Sequence, residues 1–456
     1  MKKLITTLKN IWKIKELRNR ILYTLALLGV FRLGSFIVLP GVIPSALDTG
    51  SSGGTDLLGL INLFTGGAFN NASIFALGVM PYITASIIIQ LLGFAVPYFQ
   101  RLQSKEGESG RRKLNQITRL LTVAITLVQG GGYLTYLNSQ NAVVPGEVLN
   151  PGLFWLSGII ILTAGTLFAM WLGERITDKG LGNGISLLIT VGIIAGLPSA
   201  IIAEFGLQLD NNGLFIFIIE MAILFIIIMA TVLIVQGVRK IPIQYAKRMV
   251  GRGANAMPVS GIRDYIPLKV NAAGVMPIIF AQAIMFLPAT FANFLSGGDP
   301  ATLSKPWIQA LMNPFSTTSS IIAFLLVVVF TYIYTALLVN PTQYADYLKR
   351  QNAFIPGIKP GKPTADFIDA ITSRITLPGS IFLGLITILP AFAVAFGVNQ
   401  TLARFFGGTS MLILVAVVLD TLQQIESHLL MRRYDGLVKD GRLQGRSRLQ
   451  GIGANM

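Results

Sequence analysis

Residues 57–93 read "LLGLINLFTGGAFNNASIFALGVMPYITASIIIQLLG" and hold two apolar pieces of unequal length. From Ala72 onward the run is long enough to cross a bilayer, whereas Leu57 to Phe69 is too short to do so, and no charged loop separates the two. A half-length hydrophobic helix leaning on a full-length one is the feature that any account of the chain has to explain.

The composition sets the class. With 53% hydrophobic and 12% charged residues over 456 positions and a mean hydropathy of +0.66, there is too little polar surface to wrap a soluble core, so the chain reads as a polytopic membrane protein. Cysteine is absent and histidine occurs once, at His428. Disulfide frameworks, thiolate metal sites, cysteine nucleophiles and multi-histidine metal centres are therefore excluded or hard to build, and no catalytic residue, metal ligand or cofactor is assigned. The basic start, "MKKLITTLKNIWKIKELRNR", precedes an apolar run that ends in "PGVIP" without a cleavage pattern, which predicts an uncleaved first span. Leu4, Leu8, Ile11 and Trp12 recur with helical spacing, so residues 1–20 are expected to lie as an amphipathic segment on the cytoplasmic membrane surface.

Runs of roughly 17–25 apolar residues, enough for a ~30 Å core, fall near 21–39, 74–96, 119–137, 153–172, 185–203, 214–236, 271–293, 320–339, 377–396 and 409–426. Ten spans with both termini cytoplasmic place 33 of the 36 Lys and Arg residues on the inner side, as charge bias demands. Lys305 and Arg404 fall outside, and Arg32 sits within the first span near its outer end, where it is expected to snorkel. Five spans precede the loop at 204–213 and five follow it, so the halves, 21–205 and 206–430, enter from opposite sides, the arrangement of an inverted repeat. A cytoplasmic tail, 431–456, closes the chain.

Charges within spans would mark an ion-coupled carrier. The candidates Arg32, Glu220 and Asp420 all lie near span ends, where snorkelling or a helix-end hydrogen bond accounts for them. The stretch "GLGNGIS", residues 180–186, lacks the Lys-Ser/Thr ending of a phosphate loop and precedes a membrane helix, so it predicts a tight turn into the fifth span. Residues 237–270 and 340–376 are long, basic, proline-containing cytoplasmic loops suited to anionic lipid, ribosomal RNA or an acidic protein. Ile83 and Ile87, and likewise Ile185 and Ile189, share a helical face, a spacing that lipid-facing helices also show.

Several segments, "LFTGGAFNNASIFALGVMPYITASIIIQLL", "GLGNGISLLITVGIIAGLP", "YAKRMVGRG", "VNAAGVMPIIFAQAIMFLPAT", "FIPGIKPGKPTADFID" and "GGTSMLILVAVVLDTLQQIESHLL", resemble the bacterial SecY family, the pore subunit of the general protein-secretion channel, in the same order from first span to last. The resemblance implies an all-α fold of ten transmembrane helices, two inverted five-helix halves forming a clamshell around a central pore, with a short plug helix. Leu57 to Asn71 match the plug, through Leu57, Leu60, Ile61, Leu63, Phe64 and Phe69, with Gly66, Gly67, Asn70 and Asn71 as a flexible polar hinge. The pore ring falls on Ile83, Ile87, Ile185, Ile189, Ile279 and Ile413.

The family's lateral gate, between spans two and three on one side and seven and eight on the other, puts Thr84, Gln129 and Gln282 near the seam. Cytoplasmic docking positions fall on Lys247, Arg248, Arg252 and Lys359, although Gly253 stands where the family has a second adjacent arginine and Lys359 replaces another. Lysine keeps the charge and loses the bidentate fork. The implied partners are small SecE-like and SecG-like membrane subunits, a SecA-like ATPase, the ribosome, signal peptides and nascent chains, and anionic lipids, at the bacterial cytoplasmic membrane. A secondary transporter of a small solute is the competing class.

Overall fold

The computed structural model describes residues 12, 14–48, 62, 64–104, 107–140, 142–144, 150–210, 213–245, 248–250, 257–259, 263–282, 284, 285, 313 and 315–439. Within them the chain is mostly helical. The principal helices are α1 (Lys15–Gly34), α2 (Met80–Ala95), α3 (Gly107–Ser139), α4 (Pro151–Lys179), α5 (Gly184–Asp210), α6 (Leu214–Gln236), α7 (Thr317–Leu338), α8 (Pro341–Arg350), α9 (Lys362–Ala395) and α10 (Gly408–Lys439). Seven are long and apolar enough to cross a membrane, namely α3, α4, α5, α6, α7, α9 and α10. The two others that overlap expected spans are α1, which opens on a charged turn, and the shorter α2. The expected span at 271–293 is helical over 276–282, and its remainder from 286 lies outside the described residues. Of the expected amphipathic start, Leu4, Leu8 and Ile11 also lie outside them, while Trp12 is exposed.

Two boundaries differ from expectation for a common reason. Helix α1 stops at Gly34 instead of Leu39, and α2 starts at Met80 instead of residue 74. The chain on either side pairs with itself: Val38 bridges Ser73, the Leu39 N–H donates to the Ala72 carbonyl at 2.8 Å and the Ile74 N–H to the Ile37 carbonyl at 3.0 Å. These extended bonds replace the helical ones that residues 35–39 and 74–79 would otherwise make. Pro81 then falls in the first turn of α2, where its missing N–H costs nothing.

The chain divides into two compact units, one of residues 1–49, 65–192 and 417–456, the other of 50–64 and 193–416. In the first, α4 supplies a row of glycines to its neighbours. A methyl group on Gly165 would overlap the Ile74 carbonyl oxygen, one on Gly173 would reach 2.7 Å from Ile185 Cγ1, and one on Gly158 would reach 2.9 Å from Leu134 Cδ2. Small residues on one helix face let backbones approach where no water-driven force assembles helices.

In the second unit, Ile278, Ala281, Val327, Leu383, Ile386 and Leu412 form a buried cluster, with Phe324 seated over Gly384. Helix α6 is the opposite case, its side chains Phe215, Ile218, Phe225, Ile226 and Leu233 being exposed, a surface that only lipid or another apolar partner can cover.

Five short strands accompany the mostly helical fold. The basic loops fold into strands: β1 (Val238–Tyr245), β2 (Arg248–Val250), β3 (Met257–Val259), β4 (Arg263–Lys269) and β5 (Ala353–Phe354). A sheet of order β4-β1-β5 is antiparallel throughout, running from Val238 opposite Lys269 to Gln244 opposite Arg263, and β2 pairs with β3 separately. Ile241 and Ile243 alternate with exposed residues along β1 and meet Leu268, Leu348, Ala353, Ile355 and Ile368 in a core of their own. Pro242 is tolerated mid-strand because β5 pairs only with Gln244 and Tyr245, leaving β1 single-sided at the proline.

Because Ile368 on α9 is wholly buried in this core, Ile368→Ala is expected to destabilise the loop subdomain by about 2–5 kcal/mol. Limited proteolysis of the protein in detergent checks this: cleavage within 237–270 should accelerate while the membrane helices remain protected.

Candidate functional site

The half-length helix of the sequence leads into a packed, non-helical segment. Leu57, Leu60, Ile61 and Leu63 lie outside the described residues, and Phe64 is half-buried. From Thr65 the chain turns on itself as far as Val79, and Thr65, Gly66, Ala68, Phe69, Ala72 and Ser73 are buried. Gly66 adopts φ +66° against the Gly192 backbone, a conformation and a clearance that only glycine allows.

Side chains from two helices hold this backbone. The Arg32 guanidinium of α1 donates to the Gly66 carbonyl and, at 3.4 Å, to Ser35 Oγ, while its carbon lies 4.8 Å from the Phe36 ring centre. The Tyr133 hydroxyl of α3 donates to the Phe69 carbonyl at 2.7 Å, and its ring packs on Phe69 at 4.7 Å. Within the turn, the Phe69 N–H donates to Thr65 Oγ1 at 3.2 Å. Arg32 therefore departs from the snorkelling expectation: it is turned inward to an orphan carbonyl. The glycines expected as a loose hinge sit in a segment tied at both ends.

The "GLGNGIS" turn is fixed in the same manner. The Leu181 N–H donates to Thr24 Oγ1 of α1 at 3.1 Å, the Gly182 N–H to Gln424 Oε1 of α10 at 2.8 Å and the Gly184 N–H to Thr177 Oγ1 of α4 at 2.9 Å, while Asn183 Oδ1 caps α5 at the Ser186 N–H. Three helices thus set the start of α5 and, with it, Ile185 and Ile189. In the first unit Ile87 and Ile189 are buried while Ile83 and Ile185 are half-buried; in the second Ile413 is buried next to Leu412 and Ile279 is half-buried.

The other predicted positions separate by environment. Thr84 Oγ1 donates to its own helix at the Met80 carbonyl, Gln129 is exposed on α3, and Gln282 accepts from Thr409 at 3.3 Å. Lys359 is exposed and its carbonyl accepts from Thr364. Arg248 opens β2, and Lys247 and Arg252 lie outside the described residues.

Glu220 is buried and joined through Gln208 Nε2 to Glu204, which also accepts the Asn399 N–H at 2.9 Å, so it closes a helix hairpin. Asp420 accepts from Gln424 on an exposed face. Tyr133, Thr24, Thr177 and Gln424 escape sequence reasoning, because a single polar residue in an apolar helix carries no sign of which distant carbonyl or N–H it will meet.

The arrangement offers helices whose starts and turns are pinned beside aliphatic positions, and among the described residues no three His, Asp or Glu side chains gather as a metal site would need. The SecY family model matches residues 73–422. A protein translocase subunit SecY of Chlamydia muridarum is 41% identical over 97% of this chain and 100% of its own length. The chain belongs to the SecY family.

Its fold also matches two solved structures at low identity. One, of a protein-conducting channel, has a TM-score of 0.61 at 17% identity, covering 90% of this chain and 91% of that one. In the other, with a TM-score of 0.59, 18% identity and the same coverage, the plug domain of a SecY protein is described as stabilising the closed state of the translocation channel and maintaining a membrane seal.

Gly165→Ala, whose methyl would overlap the Ile74 carbonyl, is expected to cost about 1–3 kcal/mol. Gly29→Ala on α1, where nothing lies within 4 Å, should stay within about 0.5 kcal/mol of the parent. Thermal unfolding of the two variants in the same detergent makes the comparison.

Proposed function

We propose that this SecY-family chain is the pore subunit of a protein-conducting channel in the bacterial cytoplasmic membrane. It passes unfolded secretory polypeptides across and releases signal and transmembrane helices sideways into lipid. The observation that carries this reading is the 41% identity to a protein translocase subunit along essentially the whole of both chains.

In this reading Ile83, Ile87, Ile185, Ile189, Ile279 and Ile413 line the constriction. Aliphatic side chains offer a passing chain no hydrogen bonds, repack around varied residues and exclude ions by dewetting. The segment from Leu57 to Asn71 is the plug, half a span long because it has to rest on that constriction and leave it. Release into lipid is driven by burying the apolar surface of the signal helix, at about 25 cal/mol per Å². Thr84, Gln129 and Gln282 are candidates for the seam through which it leaves.

Lys247, Arg248, Arg252 and Lys359 belong to the basic cytoplasmic subdomain on which a SecA-like ATPase or a ribosome docks, with SecE-like and SecG-like subunits against the exposed helices and both termini cytoplasmic. The chain itself performs no chemistry; the motor or the ribosome supplies the work. A small-solute carrier is disfavoured because Arg32, Glu220 and Asp420, the charges such a carrier would use, each take part in a hydrogen bond within the fold.

The absence of cysteine allows a direct test. With Ile87→Cys in the reconstituted channel and a secretory chain bearing one cysteine stalled in passage, a disulfide is expected that depends on ATP and on the signal sequence. No disulfide at Ile87, Ile189 or Ile413 with an active motor would return the small-solute carrier. Separately, Ile413→Asn is expected to let precursors with defective signal sequences through; unaltered secretion would count against the ring.

A further inference from the structure

Arg32 is a charge that the proposed function does not use and that snorkelling does not account for. A guanidinium within an apolar helix is costly, and a lipid-facing cation needs only to reach the interface. Instead Arg32 is half-buried and donates to the carbonyl of Gly66, a residue whose φ of +66° and contact with Gly192 fix that carbonyl's direction. Ser35, fully buried, accepts from Arg32 and donates its own hydroxyl to the Arg32 carbonyl at 2.6 Å, which orients the side chain. Tyr133 holds the Phe69 carbonyl from α3, so the four-residue stretch from Gly66 to Phe69 is gripped at each end.

We propose that Arg32 is a positioning residue of the channel: its bond to the Gly66 carbonyl latches the base of the plug, Tyr133 is the second catch, and the strength of the pair sets how readily the plug leaves its seat. The proposal rests on reading Leu57 to Asn71 as the plug. It assigns a gating role to a residue outside both the plug and the isoleucine ring.

Three consequences separate a latch from a merely structural bond. Arg32→Met, which keeps the bulk and removes the donors, frees the base; Arg32→Lys, which keeps charge but loses the planar fork, has a smaller effect; and Tyr133→Phe acts in the same direction from the other helix. A hydrogen bond from a charged group is strong enough that its loss should raise exposure of the base about tenfold or more.

The experiment uses the assembled channel in cells and an Ala68→Cys reporter, since Ala68 is fully buried between the two catches and the chain has no thiol of its own. Labelling by a membrane-impermeant maleimide from the outer side is expected to be slow with the reporter alone, about tenfold faster with Arg32→Met added, and intermediate with Arg32→Lys. The same order is expected for export of a precursor with a defective signal sequence.

Should Arg32→Met fail to assemble, Arg32→Lys and Tyr133→Phe carry the comparison alone. Unchanged labelling of the Ala68→Cys reporter in the variants that assemble would overturn the latch. Faster labelling with unchanged export selectivity would overturn its gating role and would put the fault in the plug assignment of residues 57–71, because the carbonyl tie itself would have been seen to break.

Discussion

Backbone amides and carbonyls that leave a helix between membrane spans cannot rely on water, and this constraint organises the chain more than any single contact. Two irregular stretches adjoin the predicted channel positions, residues 65–79 and the turn at 180–183. Each is satisfied from outside itself. The first takes Arg32 and Tyr133 on its carbonyls and extended bonds from Ile37 to Leu39 along its far side. The second, with the first residue of α5, takes Thr24, Thr177 and Gln424 on its N–H groups. Polar side chains scattered singly along apolar helices thus serve as hydrogen-bond partners of a distant backbone, and the helices that bear them are fixed in turn.

Outside the membrane the constraint relaxes, and the architecture changes with it. Residues 238–269 and 353–354 contribute strands to two sheets, with edges and prolines that a lipid-exposed segment would not tolerate. A water-exposed edge leaves Pro242 without penalty, and the short isoleucine rows of β1 and α9 supply a core separate from that of the spans. The basic side chains Arg239, Lys240, Arg263 and Lys269 then project from a folded surface instead of a tether. A folded scaffold holds such charges at set spacings, which a docking partner can read and a loose loop could not offer.

The seven spans that appear as long apolar helices among the described residues are legible because their signals are long and redundant: a twenty-residue apolar run survives any local exception. What sequence misses are decisions that hang on contacts distant along the chain. Hydropathy alone carries α1 to Leu39 and starts α2 at residue 74, since nothing local announces that Val38 will pair with Ser73. The period-two pattern of Ile241 and Ile243 is only two residues deep and interrupted by Pro242, too little to announce a strand. The isoleucine positions rest on family likeness, because four-residue spacing of isoleucine is what lipid-facing helices also show. Arg32 is misread for the same reason: its distance from the helix end fits snorkelling, and the Gly66 carbonyl is 34 residues away.

Arginine at that position is better matched to its task than any neutral donor. A carbonyl in a buried, left-handed turn accepts from serine or asparagine equally well in geometry, but those side chains find partners on their own helix, as Thr84 does at the Met80 carbonyl. The guanidinium is too long and too rich in donors to be satisfied within its own turn: it spans to Gly66, keeps a second donor for Ser35 and rests on the Phe36 ring. Its charge is the cost of that reach, and the charge also makes the bond sensitive to whatever approaches it. A charge-assisted bond at the base of a packed turn is strong while dry and weakens once water reaches it.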